Sequence, residues 1–174
     1  MTVECPLECE HLIKSRQHEP PPSLRADDLP ERDVQINDAF MEDNADLVMY
    51  VSSALLAGAR SKPGTVDADI MEALQALVKT YRTLESGLIY ETRAPNPYAL
   101  AVQDHAKAAI EEFQRLAAEE AGMASVRDAD VLGVLVFLER AAWHHGNGRP
   151  RGKAFLSFLY SQFPPAAKER LVLS

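Results

Sequence analysis

The chain has 174 residues, 47% of them apolar and 25% charged, and a formal net charge of −8. Those values fit one soluble globular domain with room for a real core, and the negative charge disfavours non-specific binding to nucleic acid or to an anionic membrane. The longest apolar run, residues 131–138 (VLGVLVFL), falls short of the roughly 18–20 residues that a membrane-spanning helix needs. No basic start followed by an apolar run opens the chain, and two cysteines make no disulfide framework, so a reduced, cytoplasmic protein is expected.

Residues 1–32 read as a Pro-rich polar tail. Pro20, Pro21 and Pro22 stand together, Pro30 follows, and the apolar residues are isolated. Such a segment buries too little surface to offset its ordering entropy, although Leu24 and Leu29 could anchor it as an extended arm. Residues 33–174 form the helical domain. The first helix is predicted from Ile36, Phe40, Leu47, Val51, Ala54 and Leu55, spaced by three, four and seven as on one buried helix face; Gly58 and the SKPG turn are expected to end it. The second is predicted to start near Asp67 as N-cap, with Asp69 in its first turn. Its stripe is Ile70, Leu74, Leu77, Tyr81, Leu84 and Leu88, and Gly87 leaves open whether it stops there or runs on through LIYE.

The RAPNPYA stretch breaks the pattern, with Asn96 as cap and Pro97 at the first helical position, where its missing N–H costs nothing. The third helix carries Val102, Ala106, Ala109, Ile110, Phe113 and Leu116, and is predicted to stop at Gly122. Ser125 or Asp128 caps the fourth, predicted from Ala129 to about His145 and apolar nearly all round, as a central helix is. A buried strand is the rival reading of its Val-rich run, but the flanks are helical and no partner strand is visible. A fifth helix is predicted from Pro150 to Phe163, stopped by Pro164 and Pro165. The fold class is therefore all-α: a single bundle of about five helices behind an extended N-terminal tail.

The charge is unevenly spread. Residues 1–139 hold 12 Lys and Arg against 25 Asp and Glu, a formal charge of −13, whereas residues 140–174 hold six against one, a charge of +5. Part of that excess lies in HHGNGRPRGK, residues 144–153. There Gly146 and Gly148 suit a helix C-cap and tight turn. With a helix opening at Pro150, Arg149, Arg151 and Lys153 would gather at its N-terminus, where free N–H groups and the helix dipole hold anions. His144 and His145 would sit at the preceding helix C-terminus, with Trp143 sealing that end. Two readings stand: a structural turn whose cations face the chain's own acidic helices, or a site for a small anionic ligand or acidic protein partner. A helix-turn-helix reader of nucleic acid is a poor match, because Phe155, Leu156, Phe158 and Leu159 look like core rather than a polar recognition face.

Cys5, Cys9, His11 and His18 are thiol and imidazole ligands of the kind zinc takes four at a time. Their spacing follows no familiar zinc pattern, and the bland alternative is a tail with exposed, oxidisable thiols. A di-iron centre is unsupported: the one Glu-x-x-His pair, Glu8 and His11, lies in the tail, and His105 has Val102 three positions before it. No G-x-S-x-G or phosphate-binding loop occurs. Glu85, Tyr90, Glu91 and Arg93 cluster beside the Gly87 break, as ordinary ion pairs at a helix end often do. The expectation is a non-enzymatic binding module that meets an anionic ligand or acidic partner through Arg149, Arg151 and Lys153, with His144 and His145 beside them. The alternative is a zinc-binding or thiol redox-sensing module built on the tail cysteines. Helical stripes also pair readily across a two-fold axis, so a homodimer is compatible with the sequence.

Overall fold

The first helical stripe breaks where the sequence reading runs it straight through. In the computed structural model, which describes residues 29–121 and 126–163, the order is α1 (Asp38–Asp43), α2 (Ala45–Ser61), α3 (Asp67–Glu85), α4 (Pro97–Ala121), α5 (Asp128–His145) and α6 (Ala154–Gln162). All regular structure among the described residues is helical. Asn37 caps α1, its Oδ1 accepting the Phe40 N–H at 2.8 Å. Asn44 then ends that helix, its side-chain amide donating to the Phe40 carbonyl at 3.0 Å. The expected single helix is thus two, and the described helices number six.

Gly58 does not stop α2. It lies where α2 crosses α4, and a Cβ there would come within 2.7 Å of the Val102 Cα. Only a hydrogen lets the two backbones approach so closely. The N-cap of α3 is Val66 rather than Asp67; the Asp69 carboxylate accepts the Val66 N–H at 2.9 Å and satisfies a backbone donor ahead of the helix. At the other end α3 stops before Gly87, which takes a left-handed φ of 79°. The Gly87 N–H donates to Leu84 and the Leu88 N–H to Thr83, both at 2.9 Å, so the last carbonyls are closed. Asn96 and Pro97 open α4 as predicted, with Asn96 Oδ1 accepting from the Tyr98 N–H at 2.9 Å.

Helix α2 packs most extensively on α4, α4 also on α3, α3 on α5, and α5 on α2. The four long helices therefore stand in the ring order α2, α4, α3, α5, around a core that includes Leu55, Ile70, Leu74, Val102, Ile110, Val134 and Leu135. Helix α5 is buried on nearly every side, as its all-round apolar sequence requires. Short α6 packs against α5, α2 and α3. From α1, the Phe40 ring reaches back over Gly133 of α5. An arm, residues 29–37, leads into α1 along the outside of the bundle.

Candidate binding site

The basic turn is a closed loop stapled from beneath. Asn147 Oδ1 accepts the Arg149 N–H at 3.0 Å, and the Arg149 carbonyl accepts the Gly152 N–H at 3.0 Å. The Gly152 carbonyl in turn accepts the Asp67 N–H at 2.9 Å. Gly148 alone of the turn's glycines takes a left-handed φ; Gly146 is extended, so α5 ends without the left-handed cap expected there.

Helix α6 begins at Ala154 and not at Pro150. Its free N–H groups, the expected seat of an anion, are already filled. The Asp67 carboxylate accepts from Phe155 and from Leu156, at 2.9 Å each. Asp67, placed by sequence as the cap of its own helix, caps another one. Arg149 and Arg151 therefore lie outside the helix, and Lys153 is its N-cap residue. All three are exposed. Among the described residues neither Arg151 nor Lys153 makes an ion pair.

His144 and His145 occupy the last turn of α5. His144 is exposed; His145 is half-buried, its ring stacked on Phe158 of α6 with centroids 3.8 Å apart and planes 9° from parallel. Burial holds the His145 imidazole below its ordinary pKa, and the neighbouring His144 adds to that. His145, Phe155 and Phe158 line an open groove of about 640 Å³ between α5, α6 and the α1–α2 junction. Met41, Val48 and Phe137 line it from the other sides, and Leu29 and Ile36 of the arm close one edge. The turn leaves the groove wall at His145 and returns to it at Phe155, while its own cations, Arg149, Arg151 and Lys153, line a separate surface recess. On the opposite side of the turn, Trp143 and Met71 wall a smaller recess of about 390 Å³.

No protein-family model, curated protein or solved structure matches the chain.

The arm is held by two arginines that the sequence reading did not single out. Arg140 donates from Nε to the Pro30 carbonyl (3.0 Å) and from Nη2 to those of Glu31 (2.6 Å) and Val34 (3.0 Å). Arg82 pairs with Asp33 at 2.7 Å and with Glu31. Glu31 sits at a left-handed φ of 54°, which a non-glycine residue adopts only when its surroundings hold it. Beneath, Glu139 is 3% exposed, with Oε2 unpartnered among the described residues. The legible signal was an ionic Glu139–Arg140 pair inside an otherwise apolar helix.

The remaining candidates divide cleanly. Glu91 pairs with Lys107 at 3.0 Å and with Arg93 at 3.4 Å, and Arg93 with Asp104 at 3.6 Å. These are surface ion pairs, and Glu85 and Tyr90 are exposed beside them. Cys5, Cys9, His11 and His18 lie outside the described residues, as do Leu24, Ser125 and the two prolines after α6.

Proposed function

We propose that the chain is a non-enzymatic binding module for an acidic segment of a partner protein. The segment's apolar residues enter the groove, and its carboxylates meet Arg151 and Lys153, with Arg149 beside them. The observation that carries this reading is an apolar groove whose walls at His145 and Phe155 flank the turn bearing Arg151 and Lys153, two exposed cations that make no ion pair among the described residues. An amphipathic helix laid in a groove and flanked by complementary charge is a common recognition mode. A bare phosphate or other small anion is the poorer fit, because the backbone donors that would hold it are spent on Asp67.

The test uses a fluorescein-labelled synthetic helix with Leu and Phe at positions i, i+3, i+4 and i+7 and a Glu-rich flank, read by anisotropy. Phe158→Ala and the combined Arg149→Ala, Arg151→Ala, Lys153→Ala variant are each expected to weaken binding by about tenfold or more, or at least 1.4 kcal/mol. Raised salt should weaken wild type but not the triple variant. If polyphosphate binds equally well with and without Phe158, the site is an anion site and the partner-segment reading falls. Failure of the peptide to bind at millimolar concentration removes it too.

A further inference from the structure

The loop after α3 puts its most apolar residues outermost. Leu88, Ile89 and Tyr90 are 64%, 96% and 67% exposed. Residues 88–94 nevertheless run without turn or bend and are pinned firmly. The Leu88 N–H donates to the Thr83 carbonyl, and the Tyr90 carbonyl accepts from Thr83 Oγ1 at 3.0 Å. At Thr92 the N–H donates to Thr80 Oγ1 (3.0 Å) and the carbonyl accepts from Gln103 Nε2 (2.7 Å). The Ala94 N–H donates to Gln103 Oε1 at 2.8 Å. Gln103 is 1% exposed and fixed; its amide serves two alternate residues as a neighbouring strand would.

Every inward bond comes from an even-numbered residue. In extended backbone the N–H and C=O of successive residues point to opposite edges. The N–H and C=O groups of Ile89, Glu91 and Arg93 therefore face outward, and among the described residues none has a partner. The segment is not part of any sheet, yet it offers an open edge: one side is bonded to α3 and α4, the other has no partner among the described residues, and three apolar side chains lie beside it. Open edges of this kind pair with another extended chain.

We infer that the occupant is the same segment of a second copy, antiparallel across a two-fold axis. Charge sets the register. Outward-facing residues must oppose outward-facing residues, which leaves few alignments. Centring the pair on Glu91 sets two like carboxylates opposite each other. Centring it on Tyr90 sets Glu91 against Ile89. Centring it on Thr92 sets Glu91 against Arg93 of the partner copy, twice, by symmetry. That alignment forms roughly four main-chain hydrogen bonds at the two Glu–Arg positions, and carries Ile89 and Tyr90 over the partner copy's 94–95 backbone. Cross-strand opposite charges favour a pairing and like charges disfavour it.

Sedimentation velocity of the full chain across a concentration series tests this. Wild type is expected to dimerise. Glu91→Pro deletes one outward N–H without touching an inward bond, and is expected to yield monomer with unchanged helical circular dichroism. Glu91→Arg and Arg93→Glu, each alone, oppose like charges and should also be monomeric, yet the two mixed together should form a heterodimer. That rescue separates pairing in this register from a merely structural role. A wild type monomeric at a few hundred micromolar, a dimer that survives Glu91→Pro, or a mixture that fails to associate overturns the inference. None of these outcomes bears on the groove, because the peptide assay reads a different face.

Discussion

The Asp67 carboxylate closes the N-terminus of α6 by accepting from the N–H groups of Phe155 and Leu156. Its own N–H donates to Gly152, so one residue at the start of α3 fixes both the basic turn and the helix after it. Asp67→Ala is expected to cost about 1–3 kcal/mol, the range for a lost cap or a charge-assisted hydrogen bond. Asp67→Asn, which keeps one acceptor, should cost less. Urea unfolding of the two variants gives the comparison. Equal losses would mean that the charge, or both oxygens together, carries the whole effect and a single amide acceptor supplies none of it.

The part of the fold that rests on local periodicity was legible: the stripes of α3, α4 and α5, and the Asn96–Pro97 start. What was missed depends on distant partners. Asn44 is tolerable inside a helix, and only the docking of Phe40 on α5 makes the break there worthwhile. Pro150 suits the first position of a helix, but it suits a loop as well; Asp67 places the true start four residues later, at Ala154. The cations of the turn were found because charge is visible in one dimension. The groove beside them was not, because its walls come from the arm, α1, α2, α5 and α6 together.

At the α2–α4 crossing, Gly58→Ala pits helix propensity against space. The substitution gains roughly 1 kcal/mol of propensity. It also drives a methyl against the Val102 backbone, which cannot rotate aside, and overpacking of this sort costs about 1–3 kcal/mol. A net loss is expected, and Gly58→Leu should lose clearly more. A Gly58→Ala protein more stable than wild type in thermal unfolding would show that the two helices can separate freely at this point.

Arg140 is the principal tie between arm and bundle. Arg140→Ala leaves the carbonyls of Pro30 and Val34 without this donor and that of Glu31 with the Val34 N–H alone, and so removes one of the contacts that hold the left-handed backbone of Glu31. The expected result is local: amide exchange should quicken in residues 30–36, with the core of α3 and α5 still protected. Leu29 and Ile36 line the groove, so release of the arm should also raise binding of an apolar dye such as ANS. Uniform loss of protection through all the helices would instead make Arg140 a pillar of the whole fold.

Glu139 gives the sharpest pH signature. Burial pushes its carboxyl above the ordinary range, Glu31 adds to that, and Gln75, Arg140 and Arg82 pull it partly back. A carboxyl whose folded pKa is raised binds its proton more tightly in the folded chain than in the unfolded one. Its stabilising contribution is therefore complete below the unfolded pKa and is lost as pH rises through the folded value. Once ionised, the group is a buried charge with Oε2 unpartnered among the described residues. Glu139→Gln keeps the shape and removes the charge. It is expected to be more stable than wild type at pH 7, with the advantage shrinking to nothing as pH falls through the carboxylate range. Urea unfolding at a series of pH values reads this directly. A glutamine variant less stable at pH 7 would mean that attraction to Arg140 and Arg82 outweighs desolvation, and that Glu139 is a working member of the ionic cluster under the arm.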